Sequence, residues 1–158
     1  MKKFIYIILL TLVPFTATAQ NQTAEALKEI CASAKASKII SCDFVQTKTS
    51  RMLTKPMTTT GHLCIKRDKI TIQYKDKTKT IHNIFSTDMQ NEKKFKTEAA
   101  GSAAEWTVRL QPKQKRLARM YSLITIHFNR KMAVVDRIEL QEKSGSRTDI
   151  RLGNIQKK

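Results

Sequence analysis

The sequence predicts a mainly β fold of the α+β class: one N-terminal helix followed by seven or eight antiparallel strands. Three observations predict it. The spacing of apolar residues changes from helical to alternating after about Lys35. β-Branched residues are frequent beyond that point, as strands favour. Short turn signals then recur between the alternating segments, as in an antiparallel meander.

The first nineteen residues precede this pattern. Met1-Lys2-Lys3 is a positive start, Phe4 to Phe15 is a short apolar run broken by Pro14, and Ala17-Thr18-Ala19 supplies small residues. This is the layout of a secretory signal peptide, cleaved after Ala19 to leave Gln20 first. The run is short of the ~20 apolar residues that a spanning helix needs. No Cys follows it as a lipid attachment point. The expected division is residues 1–19 as signal peptide and 20–158 as one domain, large enough for a single core.

Thr23 opens the helix as an N-cap with Glu25 in the first turn. Ala26, Leu27, Ile30 and Ala34 share one face as far as about Lys35. Cys42 to Lys48 reads as the first strand, centred on Phe44, and Lys55-Pro56 breaks the chain. Met57 to Ile65 is the second strand. Lys69 to Lys75 is the third and the cleanest alternation, with Ile70, Ile72 and Tyr74 on one face. Asp76-Lys77 turns the chain into Thr78 to Phe85. From Thr87 to Ala104 the strand signal lapses. Met89 and Phe95 there suggest a short helix or a mobile lid, with a solvent loop as the plainer reading. Trp106, Val108 and Leu110 alternate with polar residues, as do Ile124, Ile126 and Phe128. Val134 to Leu140 and Thr148 to Leu152 follow, separated by Ser144-Gly145-Ser146. Each strand has one apolar face, so the sheet needs a cover. Closure into a barrel and a helix packed on a curved sheet both provide one.

The formal charge is +17, or +15 without Lys2 and Lys3. Such a chain is attracted to anionic partners, and an exported one meets lipid head groups before nucleic acid. Lys113, Lys115, Arg116 and Arg119 form the densest basic cluster. It suits head-group or partner contact, or equally a solvated hairpin tip. Three cysteines, Cys31, Cys42 and Cys64, leave at least one free thiol. Export permits a disulfide, and Cys31–Cys42 would tie the helix to the first strand. The histidines His62, His82 and His127 are dispersed, so no metal site is expected. No nucleophile elbow, P-loop or dinucleotide fingerprint occurs, and Asp43 and Glu105 lack a pairing that would make them acid and base. The chain reads as a non-enzyme without a cofactor.

Two stretches resemble the periplasmic outer-membrane lipoprotein carrier family, the LolA-like proteins. The first is Ser41-Cys42-Asp43-Phe44-Val45-Gln46-Thr47-Lys48, followed by Lys55-Pro56-Met57 and Thr60-Gly61-His62-Leu63. The second begins with Glu105-Trp106-Thr107-Val108-Arg109-Leu110-Gln111-Pro112-Lys113. It continues through Ile124-Thr125-Ile126-His127-Phe128-Asn129 and Val135-Asp136-Arg137-Ile138-Glu139-Leu140 to Thr148–Ile155. Together they cover most of the mature chain in order.

The resemblance implies a half-open β-barrel, a strongly curved antiparallel sheet with helices in its mouth as a lid. It implies an apolar hollow for lipoprotein acyl chains or a related amphiphile. Partners would be an inner-membrane ABC release complex and an outer-membrane acceptor, with the carrier a periplasmic monomer. On that reading Phe44, Ile70, Ile72, Tyr74, Trp106, Val108, Leu110, Ile124, Ile126 and Phe128 line the hollow. An ordinary packed sheet face has the same periodicity. Lys113, Lys115, Arg116 and Arg119 would hold the head group or a partner. The family's Arg-Trp pair is replaced by Thr71 and Ile72, and no Pro follows Tyr74-Lys75-Asp76. About 20 residues join Phe85 to Trp106, fewer than in the family. These departures imply a smaller or more open hollow and a divergent member of the family. A sensor or interaction module that binds a protein partner is the alternative on the same fold.

Overall fold

The computed structural model describes residues 15–66, 69–82 and 88–158. Helix α1 (Phe15–Ala36) precedes strands β1 (Ile39–Thr49), β2 (Met57–Lys66), β3 (Lys69–Gln73) and β4 (Thr78–His82). A 3-10 turn at Asp88–Gln90 leads to β5 (Phe95–Gly101) and β6 (Glu105–Pro112). Helix α2 (Lys115–Met120) then connects to β7 (Tyr121–Asn129), β8 (Val134–Glu142) and β9 (Arg147–Lys157). Among the described residues nine strands form one antiparallel sheet, curved and not closed, in the order β4-β3-β2-β1-β9-β8-β7-β6-β5. Of the two covers the sequence allowed, the chain uses a helix packed on a sheet.

The order corrects the simple meander. Two meanders, β1 to β4 and β5 to β9, join through the pairing of β1 with β9. The junction is closed at its end by reciprocal bonds, Ile39 N–H to the Lys158 carbonyl at 3.0 Å and Lys158 N–H to the Ile39 carbonyl at 2.9 Å.

Residues 95–101 are a strand, not a helix or loop. The Phe95, Thr97 and Ala99 side chains alternate inward, and the register opposite β6 runs from Phe95↔Pro112 to Gly101↔Trp106. The pairing supplies what the weak local propensity of Glu98-Ala99-Ala100 lacks. Met89 and Phe95 are each 1% exposed and belong to the core, neither a lid nor a solvent loop. The presumed hairpin tip at 113–120 contains α2, whose Leu117 packs against that core. The part of the fourth predicted strand beyond His82 lies outside the described residues, as do residues 1–14 of the predicted signal peptide 1–19, whose residues 15–19 fall in α1.

Helix α1 starts before Thr23, so Thr23 is not its N-cap. Its hydroxyl bonds the Ala19 carbonyl at 3.0 Å one turn back, and accepts the Ala99 N–H of β5 at 2.9 Å. The helix thereby satisfies a backbone donor on an edge strand that would otherwise be open to pairing. Ala26, Ile30 and Cys31 are buried, with Leu27 packed beside them. The apolar stripe expected for α1 is therefore the face laid on the sheet.

Two glycines make room for aromatic rings. A Cβ on Gly61 would stand 2.6 Å from two ring atoms of Phe44 and closer still to the Gln73 carbonyl oxygen. A Cβ on Gly101 would collide with the Trp106 ring and the Glu105 carbonyl oxygen. Gly61→Ala should therefore destabilise the protein by about 1–3 kcal/mol through overpacking. A urea titration that gave the same midpoint for this variant and the parent would contradict the close approach.

Candidate functional site

All ten residues read as lining lie on one face of the sheet, the face that carries α1. Cross-strand register places them together: Phe44 opposite Leu152 and Gly61, Ile72 opposite Leu63, Ile70 opposite Ile65. On the other half, Val108 is opposite Ile126, Trp106 opposite Phe128, and Leu110 opposite Ile124.

This face is divided by α1. Trp106, Val108, Leu110, Ile124, Ile126 and Phe128 are buried with Ala26, Ile30 and Phe95 in the helix-covered half. Phe44 and Ile70 form a second cluster with Cys42 and Leu63, against which Ile72, Tyr74, Ile150 and Leu152 are only partly buried. Phe44 and Tyr74 meet edge to face, with ring centroids 5.6 Å apart. Helix α1 packs on β5, with lesser contact to β6 and β8, and leaves the β1–β3 side without its cover.

An apolar cleft lies at the seam. Ile30 and Ala34 of α1 form one wall, and Ile40, Leu63 and Ile65 face them across it. Phe128, Val134, Ile138, Leu152 and Ile155 complete it. The enclosed volume is about 50 Å³. Of the predicted lining residues only Phe128 reaches the cleft. Ile40 and Ile65 were missed, although each shares strand parity with a chosen or buried neighbour, Ile40 with Phe44 and Ile65 with Leu63. Ile155 was hidden by the β-bulge that shifts the β1–β9 register between Ser41 and Asp43.

Helix α1 is held beside this seam by Glu29. Trp106 Nε1 donates to its carboxylate at 2.8 Å, and Arg130 Nε donates to both oxygens at 3.2 and 3.1 Å. The Arg130 guanidinium carbon also sits 4.5 Å from the Trp106 ring centroid. Partial burial pushes the Glu29 carboxyl up, but the bonds from Trp106 and Arg130 outweigh it and hold it below its ordinary value. Ser33 Oγ donates to the Ala133 carbonyl at 2.5 Å further along the helix.

Lys113, Lys115, Arg116 and Arg119 are exposed on and beside α2. They stand at the end of the sheet opposite the cleft, where β6 ends and β7 begins. At that same end an ion pair, Lys48 Nζ to Glu142 Oε1 at 2.7 Å, lies on the apolar face. Lys48 shares strand parity with Phe44, and Glu142 with Ile138, which places the pair there. The three cysteines are free, so the Cys31–Cys42 bridge is not formed. Burial pushes the Cys42 thiol up to about 11, which keeps it protonated and unreactive.

The opposite face is polar. Arg137 forks onto Asp149, with its closest contact at 2.6 Å, and His127 bridges Glu105 at 2.7 Å and Glu139 at 3.0 Å. Sequence spacing gave no sign of a second polar arrangement there. Ser41 Oγ and His62 Nε2 are 2.8 Å apart, and His62 Nδ1 and Asp43 Oδ1 are 3.1 Å apart. Asn154 donates to the other Asp43 oxygen at 2.7 Å, and the bonds from Asn154 and His62 lower the Asp43 carboxyl. This connectivity is that of a nucleophile, base and orienting acid. The His62 and Asp43 side chains are, however, 47% and 55% exposed on the sheet surface. The apolar cleft does not have this trio in its walls. A fluorophosphonate probe should therefore leave Ser41 unlabelled, and labelling lost in Ser41→Ala would reverse the non-enzyme reading.

Among the described residues no helix is long and apolar enough to cross a membrane, and no cluster of ligating side chains could hold a metal ion. No family model matches the chain, and no curated protein matches it. Solved structures do. An outer membrane lipoprotein-sorting protein domain from Vibrio parahaemolyticus is similar at 8% identity and a TM-score of 0.44, over 90% of this chain and 93% of that one. Lipoprotein LppX of Mycobacterium tuberculosis is similar at 8% identity and a TM-score of 0.39, over 86% and 95%. A LolA superfamily protein from Nitrosomonas europaea is similar at 6% identity and a TM-score of 0.36, over 85% and 93%. At these values the likenesses assign this chain no activity. The observed architecture itself, an open curved antiparallel sheet with an N-terminal helix, is the one the LolA-like resemblance implied.

Proposed function

We propose that the protein is an exported carrier that takes the acyl chains of lipoproteins, or of a related amphiphile, onto the apolar face of its sheet. One observation carries this reading: α1 covers only half of a continuous apolar face and leaves an apolar seam beside it. Each methylene buried there contributes about 0.8 kcal/mol, so such a face needs no polar chemistry to hold lipid. The cleft of about 50 Å³ is little more than the ~30 Å³ share of one water. Loading therefore requires α1 to shift and widen the seam. Along β7, the seven steps from Tyr121 to Phe128 span roughly 24 Å at ~3.4 Å each. An extended chain could lie over that length with its head toward Lys113, Lys115, Arg116 and Arg119. The site residues under this reading are Phe44, Ile70, Ile72 and Tyr74 on the uncovered half. Trp106, Val108, Leu110, Ile124, Ile126 and Phe128 become accessible as α1 moves. The partners would be an inner-membrane ABC release complex and an outer-membrane acceptor, and the signal peptide would be removed after Ala19.

The small volume of the cleft favours a second reading, a periplasmic sensor or interaction module that binds a protein partner without cargo. Native mass spectrometry of protein purified from its own periplasm, followed by lipid extraction, separates the two. A bound acylated species, lost in Ile72→Glu with the fold intact, supports the carrier. A ligand-free mass that also ignores added acylated lipoprotein overturns it in favour of the interaction module.

A further inference from the structure

The end of the sheet remote from the seam carries an unusual surface. Antiparallel topology gathers three connections there: the β1–β2 loop, the β8–β9 turn and α2 between β6 and β7. In the sheet order the strands that bear them lie side by side as β2-β1-β9-β8-β7-β6. The Lys143 N–H to Met120 carbonyl bond, at 3.0 Å, ties the turn directly to the end of α2.

Among the described residues six large apolar side chains are exposed, and four of them are at this end. Met52 is 93% exposed, Met57 and Met120 are each 52% exposed, and Leu53 is 39% exposed. Basic residues are interleaved with them. Arg51 and Lys55 flank Met52 and Leu53, Lys115, Arg116 and Arg119 precede Met120, and Lys143 lies between the two groups. All six cations are exposed, and none makes an ion pair among the described residues. Cations that make no ion pair, set around unpacked methionine and leucine, have the chemistry of a surface that meets anionic head groups and dips apolar tips among acyl chains. An acidic protein would account for the cations but not for Met52 standing free in the middle of them. A packed core would account for the apolar residues but not for their exposure.

We propose that this end of the protein docks on an anionic bilayer surface, with Met52 and Leu53 entering the interface and the cations of the loop, turn and α2 binding the head groups. The inference does not depend on the seam: the carrier reading also places a cargo head group at Lys115, Arg116 and Arg119, but only docking uses the exposed Met52–Leu53 loop, so the variant in that loop separates the two.

Co-sedimentation with phosphatidylglycerol–phosphatidylcholine vesicles, against vesicles of phosphatidylcholine alone, tests it. The protein should bind the anionic vesicles and bind less as salt rises. The Lys115→Glu, Arg116→Glu, Arg119→Glu triple variant should weaken binding on the order of 100-fold, at roughly fivefold or more per cation. Met52→Ser with Leu53→Ser, in a loop that contributes nothing to the core, should weaken binding at high salt, where the electrostatic part is screened. Lys131→Glu with Met132→Ser, at the opposite end, should bind as the parent does. Equal losses from variants at both ends would overturn the proposal in favour of diffuse attraction by net charge. Parent-like binding by the Met52/Leu53 variant, together with equal competition by soluble heparin, would also overturn it, in favour of a polyanion or acidic-protein site.

Discussion

Val108→Glu should abolish cooperative folding, while Ile72→Glu leaves a folded protein. Val108 has no exposed surface, lies between Ala99 and Ile126 across the sheet, and belongs to the cluster beneath α1. The other buried residues of that cluster are all apolar. A carboxylate placed there loses water and gains no partner, which costs several kcal/mol whether it ionises or takes up a proton. A small domain has only about 5–15 kcal/mol to lose. Ile72 is partly buried at the margin of the second cluster, on a strand next to the edge of the sheet, so its glutamate can turn toward water. Urea titration followed by circular dichroism distinguishes the two. A cooperative transition in Val108→Glu at the parent's midpoint would mean that the helix does not close over β6. The comparison also shows which residue suits a binding test: a charge at Val108 reports on folding, and a charge at Ile72 reports on the face.

The second large effect is expected at Glu29. Glu29→Ala should lower stability by about 2–3 kcal/mol, because it strands the indole N–H of Trp106, which is only 3% exposed, and removes charged bonds to Arg130. The carboxylate is 31% exposed, which keeps the figure below that of a fully buried pair. Glu29→Gln retains an acceptor for the indole and should lose less. Since the carboxyl is held below its ordinary value of 4.5, its contribution is present above that pH and fades as pH falls through the lower, folded-state value. Trp106 is the one tryptophan in the chain, so its fluorescence reports on this contact directly. Acid titration should red-shift its emission below about pH 4.5 in the parent. Glu29→Gln should show the acid-range step greatly reduced. An unchanged step in Glu29→Gln would assign the transition to another carboxylate.

Eight of the nine strands were legible because each carries its own alternation, and periodicity is a local property. Ile70, Ile72 and Tyr74 are the clearest case, and β3 occupies that segment. Strand β5 was not legible. Phe95 and Ala99 are its buried residues, separated by two lysine- and glutamate-bearing positions and followed by Ala100 and Gly101, a pattern that only its pairing with β6 makes extended. The ten apolar residues named as lining share one face of the sheet, since strand parity fixes the face. Their division into a covered and an uncovered half was not readable, because it depends on where α1 crosses. The Ser41–His62–Asp43 contact was equally invisible, since it arises from the β1–β2 register and not from spacing along the chain.

The pairing of β1 with β9 has a consequence for timing. Among the described residues the two meanders pair only through β1 and β9, so β9 acts as the keystone of the sheet. A nascent chain that has released β1 to β8 holds two separate half-sheets, with β1 and β8 as bare edges where β9 will lie. The join spans more than a hundred residues of sequence, as in Asn154 bonded to Asp43, and such closures are slow. The two halves therefore join into one sheet only once β9 is in place, which makes this strand the late step of assembly.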